Sequence, residues 1–117
     1  MGRLTTHVLD TTHGKPGSGI RVEVYRLEDG EHRKLTETST NEDGRCERPL
    51  LEGGDFTAGT YELCFHAGDY FDRTSGDLPE PKFLDVVPLR FGVSDADGHY
   101  HVPLLISPYS YSTYRGS

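Results

Sequence analysis

A length of 117 residues fits one domain built around one hydrophobic core. Twelve Lys and Arg against 19 Asp and Glu leave a net charge of −7, which argues against a basic nucleic-acid-binding face, because phosphate contacts need clustered cations. Only 33% of the residues are hydrophobic, but 14 Gly, 7 Pro, 7 Tyr and 5 Phe point to short strands joined by many turns rather than to disorder.

Residues 3–10 alternate, with Leu4, Thr6 and Val8 on one side and Thr5, His7 and Leu9 on the other, and predict a first strand. Gly14, Pro16 and Gly17 place a turn at 11–18. Ile20, Val22 and Val24 alternate with Arg21, Glu23 and Tyr25 in a half-buried second strand, and Asp29-Gly30 is a favoured hairpin turn. The mostly polar stretch 32–40 predicts an edge strand. Asp43-Gly44 closes the next turn, and Arg45 leads a short strand to about residue 50. A glycine-rich loop follows, and then Tyr61, Leu63 and Phe65 alternate with Glu62, Cys64 and His66 in a fifth strand. The stretch 68–77 lacks a period of two; Asp69 to Arg73 predicts one or two helical turns, with Asp69 able to cap the start. A sixth strand is expected over 82–93, with Pro88 at a bulge or an edge.

The C-terminal stretch has the clearest pattern. His99, His101, Pro103 and Leu105 share one strand face, and Tyr100, Val102, Leu104 and Ile106 share the other, which suits a core. Pro108 and Ser110 turn the chain into a last strand carrying Tyr109, Tyr111 and Tyr114. About eight short strands and one helical insertion predict an all-β sandwich, a single domain over 1–117. No apolar run approaches the ~20 residues that cross a bilayer, and no signal-peptide core precedes the first strand, so the expected setting is the cytoplasm, without membrane contact. Cys46 and Cys64 lack Cys-x-x-Cys spacing and are expected to be free, packed thiols.

Of the six histidines, His13 and His32 lie in or beside turns and read as solvated, and His66 has no evident partner. His7 and His101 sit within strongly patterned strands, where an imidazole can act as acid or base near neutral pH. The His-x-His pair His99 and His101, with His7, would allow a zinc site, but no Asp, Glu or Cys falls at a recognisable third spacing. Ser112, Thr113 and Ser117 could be nucleophiles, but no Gly-x-Ser-x-Gly elbow supports them. Histidine with arginine and no evident nucleophile better suits direct attack by water. The imidazole would take the proton, and a guanidinium, Arg45 or Arg115, would hold planar oxygens.

The segment Tyr111-Ser112-Thr113-Tyr114-Arg115-Gly116-Ser117 resembles the C-terminal signature of the 5-hydroxyisourate hydrolases, the transthyretin-related proteins of purine degradation. Thr6-His7-Val8-Leu9-Asp10, Asp43-Gly44-Arg45, Gly68-Asp69-Tyr70-Phe71 and His99-Tyr100-His101-Val102-Pro103-Leu104-Leu105 resemble further family motifs in the same order along the chain. The resemblance implies a transthyretin-like, immunoglobulin-like sandwich of two four-stranded sheets with one short helix. It also implies a homotetramer with active sites at the dimer–dimer interface. The implied reaction is the opening of 5-hydroxyisourate at a cyclic amide to 2-oxo-4-hydroxy-4-carboxy-5-ureidoimidazoline, with no metal and no organic cofactor. Carried over by motif, the functional residues are His7, Arg45, His101, Tyr114 and Ser117. His101, assisted by His7, would deprotonate water; Arg45 would bind substrate oxygens; Tyr114 and Ser117 would close the pocket. The alternative is a non-catalytic carrier like transthyretin, a type that lacks the Tyr-Arg-Gly-Ser tail and the His/Arg set.

Overall fold

Period-two patterning becomes strand where one face can be buried, and the computed structural model, which describes residues 1–116, follows that rule for most of the chain. The strands are β1 (Arg3–Asp10), β2 (Lys15–Pro16), β3 (Arg21–Glu28), β4 (Glu31–Ser39), β5 (Leu51–Glu52), β6 (Gly59–His66), β7 (Val86–Val93), β8 (His99–Ser107) and β9 (Ser110–Thr113). The helix α1 (Ala67–Thr74) lies between β6 and β7. One sheet has the order β2-β1-β8-β9, with β5 paired to the start of β1; the other has the order β4-β3-β6-β7. The fold is the expected all-β sandwich with one short helix, and the small β5 brings the first sheet to five strands.

The inner faces meet in a core that includes Leu4, Val8, Val22, Val24, Leu63, Phe65, Tyr100, Leu104 and Ile106. The β3–β4 hairpin turns on Asp29 (φ 53°) and Gly30 (φ 80°), the two left-handed residues that an Asp-Gly turn supplies. Pro88 lies exposed on the edge strand β7, where its missing N–H costs no ladder bond.

Three expectations change. The strand led by Arg45 reduces to one antiparallel bridge between Arg45 and His7. Glu47 and Arg48 turn out to solvent, Pro49 cannot donate to a ladder, and regular pairing resumes only at β5. The helix starts at Ala67, so Asp69 lies in its first turn, where a carboxylate complements the helix dipole, rather than at the cap. The sixth strand begins at Val86, because the segment before it runs along the helix, with Lys82 Nζ 3.0 Å from Asp72 Oδ1.

In the first sheet, β1 and β8 run parallel in an eight-residue register from Arg3↔His99 to Asp10↔Ile106. Asp10, fully buried at the end of β1, accepts hydrogen bonds from the Tyr70 hydroxyl (2.7 Å), the His13 ring Nδ1 (2.7 Å) and the backbone N–H groups of Thr12 (2.9 Å) and His13 (3.1 Å). Burial pushes its pKa up, but these donors outweigh burial and hold the carboxyl below its ordinary value. Tyr70→Phe is therefore expected to destabilise the fold by about 1–3 kcal/mol, the cost of removing one donor from a buried charged acceptor, as measured by urea unfolding. A variant as stable as the parent would contradict this account of the β1–α1 junction.

Candidate functional site

The outer face of the first sheet carries Thr5 and His7 from β1 and His99 and His101 from β8. Parallel register sets Thr5 opposite His101 and His7 opposite Pro103. The Thr5 hydroxyl therefore lies between two imidazoles, with Oγ1 2.9 Å from His99 Nε2 and 2.8 Å from His101 Nδ1. The two rings are 6.3 Å apart and inclined at 64°.

Arg45 reaches this face through a turn fastened to β1. Asn41 Oδ1 accepts from the N–H groups of Asp43 (2.9 Å) and Arg45 (3.2 Å), and the Gly44 carbonyl accepts from Val8 N–H at 2.8 Å. Gly44 has φ +75°, and a Cβ on it would lie 2.4 Å from the Val8 carbonyl oxygen, so glycine is required there. The C-terminal segment returns past β9 and bridges to His101, with the Gly116 N–H donating to the His101 carbonyl at 2.7 Å. A Cβ on Gly116 would come within 2.6 Å of His101 Cδ2, so the bare backbone lies close against the imidazole ring.

Thr5, His99, His101, Arg3, Arg45 and Arg48 line one cleft of about 440 Å³, in which Glu47 is the one carboxylate-bearing lining residue among the described residues. Thr5, Arg3 and Arg48 are absent from the sequence-based site; strand alternation placed Thr5 on the His7 face, but only the register reveals its neighbours. His7 is half-buried on the same face and bridges Arg45 without lining the cleft. Tyr114 is 61% exposed and lines a separate depression between β7 and β9, as do Tyr111, Thr113 and Arg115. Arg115 stacks its guanidinium 4.0 Å over the Tyr100 ring, so Arg45 is the guanidinium that accompanies the imidazoles. Ser117 lies outside the described residues. Ser112 is exposed opposite Leu105, and the Thr113 hydroxyl donates to the Pro103 carbonyl at 2.7 Å.

Burial, reinforced by the charge of Arg45 and by His7 and His99, lowers the pKa of His101 below its ordinary value. A neutral imidazole held beside a guanidinium can accept a proton while the guanidinium binds an oxygen. The remaining histidines are differently placed: His13 and His32 are exposed, as read, though each meets a carboxylate, and His66, read as unpartnered, has a partner. His13 meets Asp10 at 2.7 Å, His32 meets Glu62 at 2.8 Å and His66 meets Glu23 at 2.6 Å. Cys46 and Cys64 are free; burial pushes each thiol up to about 11, so neither is a ready thiolate. Among the described residues, no three His, Cys, Asp or Glu side chains gather in a geometry that could hold a metal ion. Among them, too, no helix is long and apolar enough to cross a membrane.

The sequence profile of the HIUase/Transthyretin family matches residues 4–116. A protein of Pseudomonas aeruginosa named 5-hydroxyisourate hydrolase is 62% identical over 117 residues, covering 100% of this chain and 93% of that protein. Among solved structures, (S)-allantoin synthase superposes with a TM-score of 0.93 at 50% identity, covering 99% of this chain and 44% of that one, so this chain spans less than half of its length. Sea bream transthyretin in complex with thyroxine superposes with a TM-score of 0.86 at 27% identity, covering 97% of this chain and 94% of that one.

The environment of His101 fixes the direction of its titration. Its depressed pKa means that the folded protein resists protonating it, so the ring stays neutral as pH falls until a midpoint below the ordinary ~6.5. NMR titration of the histidine ring protons should show that midpoint, and Arg45→Ala should move it upward. A His101 midpoint at or above ~6.5 in the parent would contradict the described environment.

Proposed function

The chain belongs to the HIUase/Transthyretin family, and from that premise we propose that it hydrolyses 5-hydroxyisourate to 2-oxo-4-hydroxy-4-carboxy-5-ureidoimidazoline without a metal or organic cofactor. His101 Nε2 takes a proton from water as the water oxygen bonds to the cyclic amide carbonyl. Arg45 holds the substrate oxygens and stabilises the developing oxyanion. As the tetrahedral intermediate collapses, the ring C–N bond breaks and the proton on His101 passes to the leaving nitrogen. His7, bridged to Arg45 through the backbone, assists, and Tyr114 and Ser117 close the pocket.

The observation that carries this reading is the half-buried imidazole of His101 in the same cleft as Arg45, with burial and the charge of Arg45 lowering its basicity below the ordinary value. Two further guanidinium-bearing residues in that cleft, Arg3 and Arg48, favour an oxygen-rich, anionic ligand over a purely apolar one. The likeness to a transthyretin does not separate a carrier from an enzyme, because the fold is shared; the polar lining favours the enzyme. Within this proposal the chain works in the cytoplasm as a homotetramer, with the open outer face of the first sheet meeting its counterpart at the dimer–dimer interface. That contact would complete the pocket around Tyr114 and Ser117.

The decay of freshly generated 5-hydroxyisourate, followed against its spontaneous decay, tests the reading. The parent should accelerate the decay, and His101→Asn should slow turnover by at least ~10²-fold with the fold retained. Near-parent turnover in that variant would remove His101 from the mechanism. A parent without effect on the decay would reject the activity.

A further inference from the structure

We infer that Thr5 and His99 form, with His101, a hydrogen-bonded proton relay along the cleft, in which Thr5 is the positioning residue that sets the His101 tautomer. The inference deepens the hydrolase reading and rests on it. Thr5 Oγ1 is 2.8 Å from His101 Nδ1 and 2.9 Å from His99 Nε2. A hydroxyl has one proton to give and lone pairs to accept with. When both imidazoles are neutral, satisfying both links leaves two arrangements of the chain. In one, His99 donates to Thr5 and Thr5 donates to His101 Nδ1, which puts the His101 proton on Nε2 and blocks that nitrogen as a base. In the other, His101 Nδ1–H donates to Thr5 and Thr5 donates to His99 Nε2, which leaves His101 Nε2 bare.

Electrostatics selects the second arrangement for the resting site. The charged and titratable groups around His101 are Arg45 from the 41–45 turn, His7 on β1 and His99 on its own strand, with Arg3, Arg48 and Glu47 lining the same cleft. Among the described residues that surrounding is cationic on balance, and it favours a lone pair over an N–H directed into the cleft. The Thr5 bond favours this ring orientation by holding Nδ1, and the Gly116 backbone lies close to Cδ2.

The chain also gives the second proton a route. As His101 Nε2 takes a proton from water, the Nδ1–H proton can pass to Thr5 Oγ1 while the Thr5 proton passes to His99 Nε2. His101 then remains neutral beside Arg45, and the positive charge rests on His99, which is exposed to solvent. When the leaving nitrogen takes the proton from His101 Nε2, the transfers reverse through Thr5. No atom is gained or lost over the cycle apart from the water added to the substrate.

Three variants of the full-length protein test this: Thr5→Val, which removes the hydroxyl at nearly constant shape, Thr5→Ser, which keeps it, and His99→Gln. Thr5→Val and His99→Gln should each lower kcat by about tenfold or more with KM little changed, the scale on which partners that fix an imidazole tautomer act. Thr5→Ser should restore kcat, and the Thr5→Val/His99→Gln double variant should be no slower than Thr5→Val, because both changes cut one chain. ¹⁵N-histidine NMR of the resting protein should show His101 protonated at Nδ1 in the parent and in Thr5→Ser, and a mixture of tautomers in Thr5→Val. Parent-like kcat in Thr5→Val, losses that multiply in the double variant, or His101 protonated at Nε2 in the parent would each overturn the inference. Should the parent leave 5-hydroxyisourate at its spontaneous rate, the hydrolase reading falls and the tautomer measurement alone decides the hydrogen-bonded chain.

Discussion

The parallel pairing of β1 with β8 is the contact on which the rest of the structure depends. Every other strand pair among the described residues is antiparallel. Parallel strands cannot be joined by a tight turn. Here the connection contains the whole second sheet and the helix, so chemistry-bearing residues from the two ends of the sequence stand side by side. A one-residue slip would turn every side chain of one strand to the opposite face. The core prevents that slip: Leu4 and Val8 on β1 and Tyr100, Leu104 and Ile106 on β8 are buried together, and the Thr6 hydroxyl donates to the Val102 carbonyl at 2.7 Å. The inner face of the pair thus fixes the geometry of the outer one, where Thr5 meets His99 and His101.

The same division of faces separates charges. The chain is acidic, yet the cleft on the first sheet is lined by Arg3, Arg45 and Arg48 with Glu47 as its one carboxylate-bearing residue among those described. Carboxylates that could neutralise imidazoles are spent elsewhere. Glu23, on the second sheet, accepts from His66 and from Lys34 at 3.1 Å, and those donors hold its pKa down at about 2. His66 thus meets a carboxylate, whereas His101 is partnered by the Thr5 hydroxyl and lies beside Arg45, which with burial lowers its pKa. Among the described residues the imidazoles of the first sheet's outer face, His7, His99 and His101, have no carboxylate partner, and His101 is the one whose basicity burial and Arg45 lower.

Much of this was legible from residue order. Alternation placed β1, β3, β6 and β8 and sorted their inner from outer faces, because half-buried strands leave a period of two in the sequence. Asp29-Gly30 announced its hairpin because both residues tolerate positive φ. The family motifs named His7, Arg45 and His101, and the fold puts all three on or beside one sheet face. Three things were not legible. The 45–50 stretch reads as strand, but it has no partner beyond one bridge, and pairing is a property of the neighbour rather than of the segment. His66 lacked an evident partner because Glu23 reaches it from the neighbouring strand β3. Thr5 resembles any strand threonine until the β1–β8 register sets it opposite His101.

The central claim is that His101 and Arg45, brought from distant parts of the chain, act together on one reacting centre. A double-mutant cycle on kcat/KM for 5-hydroxyisourate, with His101→Asn and Arg45→Ala alone and combined, measures that cooperation directly. The account predicts a coupling of about 1 kcal/mol or more, with the double variant much less impaired than the product of the single losses. Losses that combine independently to within about 0.3 kcal/mol would contradict it.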